Sequence, residues 1–384
     1  MKRGTMFTAA LTLAVSVPGA WAFDPVHEVT WGERIEVASG DAYQGPWRMN
    51  ESAFHYVDDP TVAINEEGVV AVAWVDQSRK DIFFQIYSPD GQTRFEKPVN
   101  VSRTPAIFSW LPRMVTPSGD PSRVYILWQE IVFSGGTHGG EIFFARSTDG
   151  GKTFDDPVNL SKTIAGDGKG RLTRRYWHNG SLDLALGQQG TLYAAWTEYE
   201  GTLWLSRSTD GGDKFSKPLR IAGGGNAAPA RGPSLAVGAD DTVYLAWTVG
   251  EDRAADIHVA KSGDAGRSFG VPRLAFESDG HCDAPKIAVD SAGTVHLVYA
   301  ESPAGPFDRY HIRYTRSSDG ARTFDKPRAI SSPLPAEFES ANFPGLRVDG
   351  EDNLYVLWEL FPRRQGRPRG LGFTVSRDAG RTFA

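Results

Sequence analysis

The residues of this chain that could do chemistry are carboxylic acids, arginines and histidines near the ends of predicted strands. Asp58 and Asp59 are adjacent, and either could serve as a proton donor, with Glu198 as a base or stabiliser. Arg231 can hold an anion through paired, charge-assisted hydrogen bonds. Three imidazoles, which suit zinc, copper or iron, are found at His55, His178 and His281. These residues can act together only if the fold gathers them.

The first 22 residues have the pattern of a secretory signal peptide. Lys2 and Arg3 form a basic start, a mostly apolar stretch follows, and Ala20-Trp21-Ala22 matches a cleavage site. The apolar stretch is shorter than the roughly 20 residues that a membrane-spanning helix needs. We therefore expect export to the periplasm or the medium, no membrane span, and one domain over residues 23–384.

The composition excludes several classes of protein. The 384 residues are 40% hydrophobic and carry a formal net charge of −6. That is enough apolar material for a large core, and the acidic balance argues against a nucleic-acid partner. The one cysteine, Cys282, allows no disulfide within the chain.

One sequence unit recurs six times and predicts the architecture. Each unit has a strand ending in Trp or Tyr and closes with a motif of the form Ser-x-Asp-x-Gly-x-x-Phe or a close variant. The closing motifs begin at Ser88, Ser147, Ser208, Ser262, Ser317 and Ser376, so that the units are 54 to 61 residues long. Units of this length suit four-stranded blades. The sequence therefore predicts an all-β fold, a six-bladed β-propeller with four-stranded blades.

The two ends of the repeat predict how the propeller closes. The last copy stops at Phe383-Ala384 without a fourth strand, whereas a spare strand, 33–38, precedes the first copy. An N-terminal strand that completes the last blade would leave no open sheet edge. The closing motif itself is interpreted as structural, because its Asp can accept N–H bonds within a tight turn and its Phe can fill the gap between blades.

The repeat resembles a known family. Ser147-Thr-Asp-Gly-Gly-Lys-Thr-Phe154 and Ser208-Thr-Asp-Gly-Gly-Asp-Lys-Phe215 are similar to Asp boxes (BNR repeats), the signature of the sialidase (neuraminidase) superfamily. The resemblance covers nearly the whole mature chain. It implies a ligand pocket on the propeller axis, opposite the Asp boxes, lined by residues just before each first strand and just after each second strand.

Aligning the units by their Trp or Tyr assigns residues to that implied pocket. The catalytic candidates are Asp58, Asp59, Glu198 and Tyr199. The candidates for ligand binding are Trp110, Arg113, Glu130, Arg231, Asp283, Glu301 and Asn342. In a hydrolytic site, Asp58 or Asp59 would be the acid, Glu198 the base and Arg231 the anion clamp. Glu198 and Tyr199 can act as a base and nucleophile pair only within a loop, because neighbours on a strand point in opposite directions.

Two positions depart from the family pattern. The family's first-blade Arg-Ile-Pro corresponds here to Asp58-Asp59-Pro60, and the tyrosine that opens the last blade corresponds to Asn342-Phe343-Pro344. The predicted function is thus an exported, sialidase-like propeller that binds an acidic sugar or another small anionic ligand. If it is an enzyme, the resemblance implies an exo-glycosidase.

Two alternatives remain open at this point. His55, His178 and His281 precede the first strands of alternate blades, so they could converge on the axis and hold a transition metal. Alternatively, the propeller could be a non-catalytic platform for a protein partner. Its basic loop would then attract an anionic surface through Arg363, Arg364, Arg367 and Arg369.

Overall fold

Short apolar runs separated by glycine, proline and aspartate make this chain form strands and turns. A computed structural model describes residues 32–40, 57–105, 107–130, 140–162, 171–172, 177–178, 181–198, 201–250, 254–306, 308–364 and 366–384. All regular elements in these ranges are strands. Accordingly, the described ranges contain no helix with the length and apolarity to cross a bilayer.

The first three blades follow the chain order, each an antiparallel sheet of four strands. Blade 1 contains β1 (Val57–Ile64), β2 (Val70–Asp76), β3 (Asp81–Tyr87) and β4 (Val99–Asn100). Blade 2 contains β5 (Ser109–Val115), β6 (Val124–Glu130), β7 (Glu141–Ser147) and β8 (Val158–Asn159), and the hairpin β9 (Arg171–Leu172) and β10 (Trp177–His178) follows it. Blade 3 contains β11 (Leu182–Leu186), β12 (Leu192–Thr197), β13 (Leu203–Ser208) and β14 (Leu219–Ala222).

Blades 4 and 5 repeat this four-stranded order, and the ladder of blade 6 has three strands. Blade 4 contains β15 (Ala230–Val237), β16 (Val243–Val249), β17 (Asp256–Ser262) and β18 (Arg273–Leu274). Blade 5 contains β19 (His281–Val289), β20 (Val295–Ser302), β21 (His311–Ser317) and β22 (Arg328–Ala329). Blade 6 contains β23 (Ser340–Val348), β24 (Leu354–Phe361) and β25 (Gly370–Ser376). The six sheets form a ring in which the first strand of each blade is innermost, which confirms the predicted six-bladed propeller.

The core lies between the blades. The middle-strand residues Trp128, Trp196 and Trp247 are fully buried. The Phe of the second Asp box reaches the preceding blade: the ring of Phe154 meets Phe84 edge-on at 5.3 Å between centroids. Phe215 and Phe144, Phe383 and Tyr314 repeat this contact at 4.9 and 4.8 Å. These aromatic contacts join neighbouring blades, as the motif predicts.

The segment ahead of blade 1 packs where the ring must close. Val37 and Ala38 pack against Trp74 and Phe83 of blade 1, on the face that blade 2 does not cover. In the other blades, the equivalent face packs against the outer end of the preceding blade. For example, Leu160 at the end of blade 2 packs against blade 3. The segment thus occupies the fourth-strand position of blade 6, although it has no strand ladder within the described ranges.

Five of the six inner strands carry a β-bulge at the same place. The ladder shifts register there, and the residue before a proline adopts a left-handed backbone with φ between 47° and 63°. We call these positions the bulge residues: Asp59, Leu111, Gly232, Ala284 and Phe343. The following proline has no N–H to lose where the ladder is broken. The left-handed backbone costs a residue with a Cβ roughly 1–2 kcal/mol, so four of these bulges store strain.

Five of the six Asp boxes close their turns with the same hydrogen bonds, and the first box differs. In the second box, the hydroxyl of Ser147 donates to Asp149 at 2.8 Å and accepts the N–H of Gly151 at 2.8 Å. Asp149 also accepts the N–H of Thr153 at 2.9 Å. In the first box, Ser88 is partly exposed and donates to Asp90 and to the carbonyl of Gln92.

We expect Ser147→Ala to lower the free energy of unfolding by about 1–3 kcal/mol, because it leaves the buried N–H of Gly151 without its acceptor. Ser88→Ala is the matched control, since its hydroxyl is accessible to water, and its loss is expected to be smaller. Urea unfolding of both variants measures the difference. Equal losses would show that the buried serine is not what holds the turn.

Candidate functional site

The alternating strand directions place different residues at the two ends of the propeller axis. The strands of each blade alternate in direction, so the starts of the inner strands and the ends of the second strands lie at one end of the axis. The Asp boxes, which follow the third strands, lie at the other end. We call the first of these the open end, and it carries most of the predicted site residues.

Three carboxyl groups meet at the open end where blades 6 and 1 adjoin, and we call Asp58, Asp59 and Glu359 the acidic cluster. Asp59 is the bulge residue of β1, and its carboxylate accepts the N–H of Leu111 at 3.4 Å and the indole N–H of Trp110. Burial and the negative charge of Asp58 raise the pKa of Asp59 from its ordinary 3.8 to about 7. Asp59 is therefore a carboxylic acid that keeps its proton near neutral pH.

The two other members of the acidic cluster are also hard to ionise. Burial raises the pKa of Asp58, although its Oδ1 accepts the N–H of Asp59 at 2.9 Å and Arg367 is a nearby cation. Burial and the charge of Asp58 raise the pKa of Glu359, which lies near the end of β24. The like charges thus reinforce one another, and a proton is retained within the cluster near neutrality.

Positive charge and an aromatic ring border the acidic cluster. The guanidinium of Arg113 lies close enough to Asp59 to oppose the rise of its pKa. Phe343, the bulge residue of blade 6, is 58% exposed. It follows Asn342, which is paired with Glu359 across the ladder and whose Oδ1 accepts the N–H of Phe343 at 2.7 Å. A bulky ring in left-handed backbone is uncommon and marks a position whose strain calls for a functional reason.

A second group of predicted residues forms a closed ion-pair network. Arg231 Nε is 3.4 Å from Asp283, its Nη2 is 3.0 Å from Nε2 of His281, and its Nη1 donates to the carbonyl of Gly250. Because the guanidinium can only donate, Nε2 of His281 is the acceptor, which puts the ring proton on Nδ1. Arg231 is 7% exposed, and its charge is the strongest of the interactions that hold the pKa of Asp283 far below its ordinary value. The predicted anion clamp is thus occupied by a carboxylate of the protein itself.

Two more residues that were predicted to bind a ligand, Glu130 and Glu301, do not belong to the acidic cluster. Glu130 is buried, and it accepts the hydroxyl of Thr104 at 2.8 Å and the indole N–H of Trp128 at 3.2 Å. Glu301 accepts Arg313 Nε at 2.6 Å and the hydroxyl of Ser278 at 2.5 Å. Both carboxylates therefore already accept hydrogen bonds from side chains of the protein.

The remaining candidates are only partly covered by the described ranges. The backbone of Glu198 closes a tight turn between β12 and β13, where its N–H donates to Thr202 at 2.9 Å, but Tyr199 lies outside those ranges. His55 and the side chain of His178 also lie outside them. Among the described residues, no group of three His, Cys, Asp or Glu side chains could hold a metal ion. The metal hypothesis thus stays a prediction.

The basic loop reaches the open end. Arg364 lies 3.6 Å from Asp308, and the N–H of Arg369 donates to Leu360 at 2.9 Å. Arg367 is close enough to Asp58 to lower its pKa. This loop therefore contributes positive charge near the acidic cluster, and its use as a docking surface for a protein partner stays a prediction.

The sequence reasoning missed two kinds of site residue. Glu359 occupies an expected position after a second strand but was not singled out as a candidate. Lys286 and Asp183 occupy the same ladder position as Arg113, because each pairs with the residue just before the middle-strand aromatic residue. The signal existed, because aligning the units at their Trp or Tyr places these three residues in one column.

Comparisons with known proteins support the fold. No family model and no curated protein sequence match this chain. A solved protein of unknown function from Dyadobacter fermentans has a TM-score of 0.57 and 12% identity, covering 83% of this chain and 94% of its own. An ulvan lyase from a polysaccharide lyase family has a TM-score of 0.56 and 13% identity, covering 85% and 83%. The intramolecular trans-sialidase from Ruminococcus gnavus has a TM-score of 0.54 and 11% identity, covering 80% and 90%. The chain therefore has a sialidase-like propeller fold.

The raised pKa of Asp59 predicts how stability depends on pH. Folded Asp59 keeps its proton to about pH 7, whereas the unfolded chain loses it near 3.8, so the free energy of unfolding falls as pH rises between these values. Asp59→Asn removes this ionisation, and asparagine tolerates positive φ. We expect the variant to exceed the wild type by on the order of 2 kcal/mol above pH 7, with the gap closing towards pH 4.

Thermal melts across this pH range measure the effect. Asp279→Asn is the control, because Asp279 is exposed, and its substitution is expected to leave the profile unchanged. A constant gap between the Asp59 variant and the wild type at every pH would contradict the raised pKa.

Proposed function

We propose that this protein is an exported enzyme that cleaves a glycosidic bond in an acidic glycan at the open end of the propeller. The observation that carries the proposal is the carboxyl group of Asp59, which holds its proton to about pH 7 beside two other carboxyl groups. Export is proposed from the pattern of residues 1–22, which lie outside the described ranges.

The acidic cluster can divide the two roles that glycoside hydrolysis needs. Asp59 donates its proton to the leaving oxygen as the bond between that oxygen and the anomeric carbon breaks. A water molecule forms the new bond to the anomeric carbon and gives its proton to the ionised carboxylate of the cluster, Asp58 or Glu359. The cluster's negative charge also stabilises the positive charge that develops on the sugar ring.

Cations around the acidic cluster favour a substrate that carries an acidic group. Arg113 lowers the pKa of Asp59 and Arg367 lowers that of Asp58, but both pKa values stay above the ordinary value. A carboxylate or sulfate of the substrate adds the missing negative charge to these cations. Arg231, the clamp expected from the sequence, has no role in this proposal, because Asp283 already occupies it.

Phe343 supplies a flat apolar surface beside the acidic cluster. Its side chain is 58% exposed, and its position is held by a strained backbone and by Asn342. An exposed ring at a strained position suits stacking against the apolar face of a sugar.

The structural neighbours support a carbohydrate substrate. They include an ulvan lyase bound to -[GlcA(1-4)Rha3S]- and sialidases, one of them from Streptococcus pneumoniae. Sialic acid and glucuronic acid are both acidic sugars. At 10 to 13% identity, this is analogy at the level of fold, and the proposed chemistry depends on the acidic cluster.

We expect Asp59→Asn to lower kcat by about 10²- to 10⁴-fold on glycans with a poor leaving group, because the amide cannot donate the proton. On a fluorogenic aryl glycoside, whose leaving group needs little protonation, the loss is expected to be much smaller. Wild-type kcat should fall as pH rises through about 7, as the acid ionises.

The assay uses a sialoside series and polymers of uronic acids, with Asp279→Asn as the control. Equal turnover by the wild type and the Asp59 variant on every substrate would remove Asp59 as the acid. Background turnover by the wild type throughout would overturn the proposed hydrolysis.

We expect Phe343→Gly to raise KM several-fold and to leave kcat nearly unchanged, because the sugar loses its stacking surface. Glycine adopts positive φ without strain, so the variant should unfold at a temperature equal to or above that of the wild type. Val271→Gly, which removes another exposed apolar side chain far from the acidic cluster, is the control for KM. An unchanged KM in the Phe343 variant would rule out the stacking role.

A further inference from the structure

A second charged group lies further along the inner strands than the acidic cluster. Two bulges have a charged residue three positions after their start: Arg113 in blade 2 and Lys286 in blade 5. Asp183 occupies the equivalent ladder position in blade 3. Arg347, on β23, lies two residues beyond the equivalent position in blade 6. Four blades therefore contribute charged residues at similar depths of the axis.

Lys286 interacts with charges on blades 2 and 3, which it does not adjoin, and on the neighbouring blade 6. Burial lowers its pKa most, Arg113 and Arg347 lower it further and Asp183 raises it, which sets it at about 8. Blades 2 and 5 are opposite each other in a ring of six, so Lys286 and Arg113 can interact only across the propeller axis. We call Arg113, Asp183, Lys286 and Arg347 the axial cluster.

The axial cluster has an excess of positive charge. Its three cations have no carboxylate within ion-pair distance in the described part of the chain. Among the described residues, the guanidinium groups of Arg113 and Arg347 donate to backbone carbonyls, each at 2.9 Å. Asp183 accepts the N–H groups of Leu184 at 3.0 Å and Leu235 at 2.7 Å. Against three cations, this one carboxylate leaves two positive charges.

We propose that the axial cluster is a binding site for a tetrahedral dianion such as sulfate or hydrogenphosphate. A dianion balances the two excess charges, and its oxygens can accept from donors that approach from several blades. Nearby cations that repel one another are stabilised when an anion sits between them. The site lies beyond the acidic cluster and shares only Arg113 with it, and a dianion can occupy it whether or not a glycan is cleaved.

Titration with inorganic sulfate tests this proposal without any glycan. In chloride buffer at constant ionic strength, sulfate is expected to bind the wild type with one site per chain and to raise its Tm. Lys286→Met and Arg347→Met are expected to weaken sulfate binding by about tenfold or more, since each loses a charged donor. Lys286→Met should also raise the Tm in chloride, because it removes repulsion with Arg113 and Arg347.

Lys326→Met is the matched control, since Lys326 is exposed on the outside of blade 5, and it should bind sulfate like the wild type. Methyl sulfate, a monoanion like a sulfate ester of a glycan, should bind more weakly than inorganic sulfate. No saturable sulfate binding, or equal binding by the Lys286 and Lys326 variants, would overturn the proposal. Sulfate binding without glycan turnover would leave this site standing and remove only the proposed activity.

Discussion

The β-bulge in the inner strands is the constraint on which the site depends. Neighbouring inner strands share no ladder, so side chains at and around the bulges connect them to the next blade. Asp59 accepts the N–H of Leu111, and Ser181 accepts the N–H of Gly232 at 2.7 Å. The same geometry that joins the blades therefore fixes the acid of the proposed reaction, and a rigid backbone holds it without a flexible loop.

Electrostatics divides the axis into two levels. At the open end, carboxyl groups crowd together and keep a proton, and further along the inner strands cations crowd together across the axis. Arg113 belongs to both levels, because it opposes the rise of the pKa of Asp59 and lowers that of Lys286. Each level stores unfavourable like-charge repulsion, which a ligand of complementary charge relieves. An acidic ligand group bound at one level should therefore shift the pKa values at the other level through Arg113.

The fold was predictable because its signals are local. Each Asp box closes a turn within eight residues, and six copies at regular spacing specify six blades. The site was predictable only in part. Asp58, Asp59, Trp110 and Arg113 do come together, but the pairing of Arg231 with Asp283 joins residues 52 positions apart, and no local pattern reports it. Lys286 was missed because the bulge inserts extra residues, so simple alternation along the strand does not indicate which side chains reach the axis.

The position before each bulge explains why this site differs from the one that the family resemblance implies. An oxygen of Asp58, Asp283 or Asn342 accepts the N–H of the bulge residue that follows, at 2.7 to 2.9 Å. An arginine has no acceptor for that bond, and Arg231 is indeed followed by Gly232, which adopts positive φ without such support. Aspartate in place of the family's first-blade arginine thus secures a strained turn and places negative charge beside Asp59. The charge of Asp58 helps Asp59 to keep its proton, as the proposed acid must.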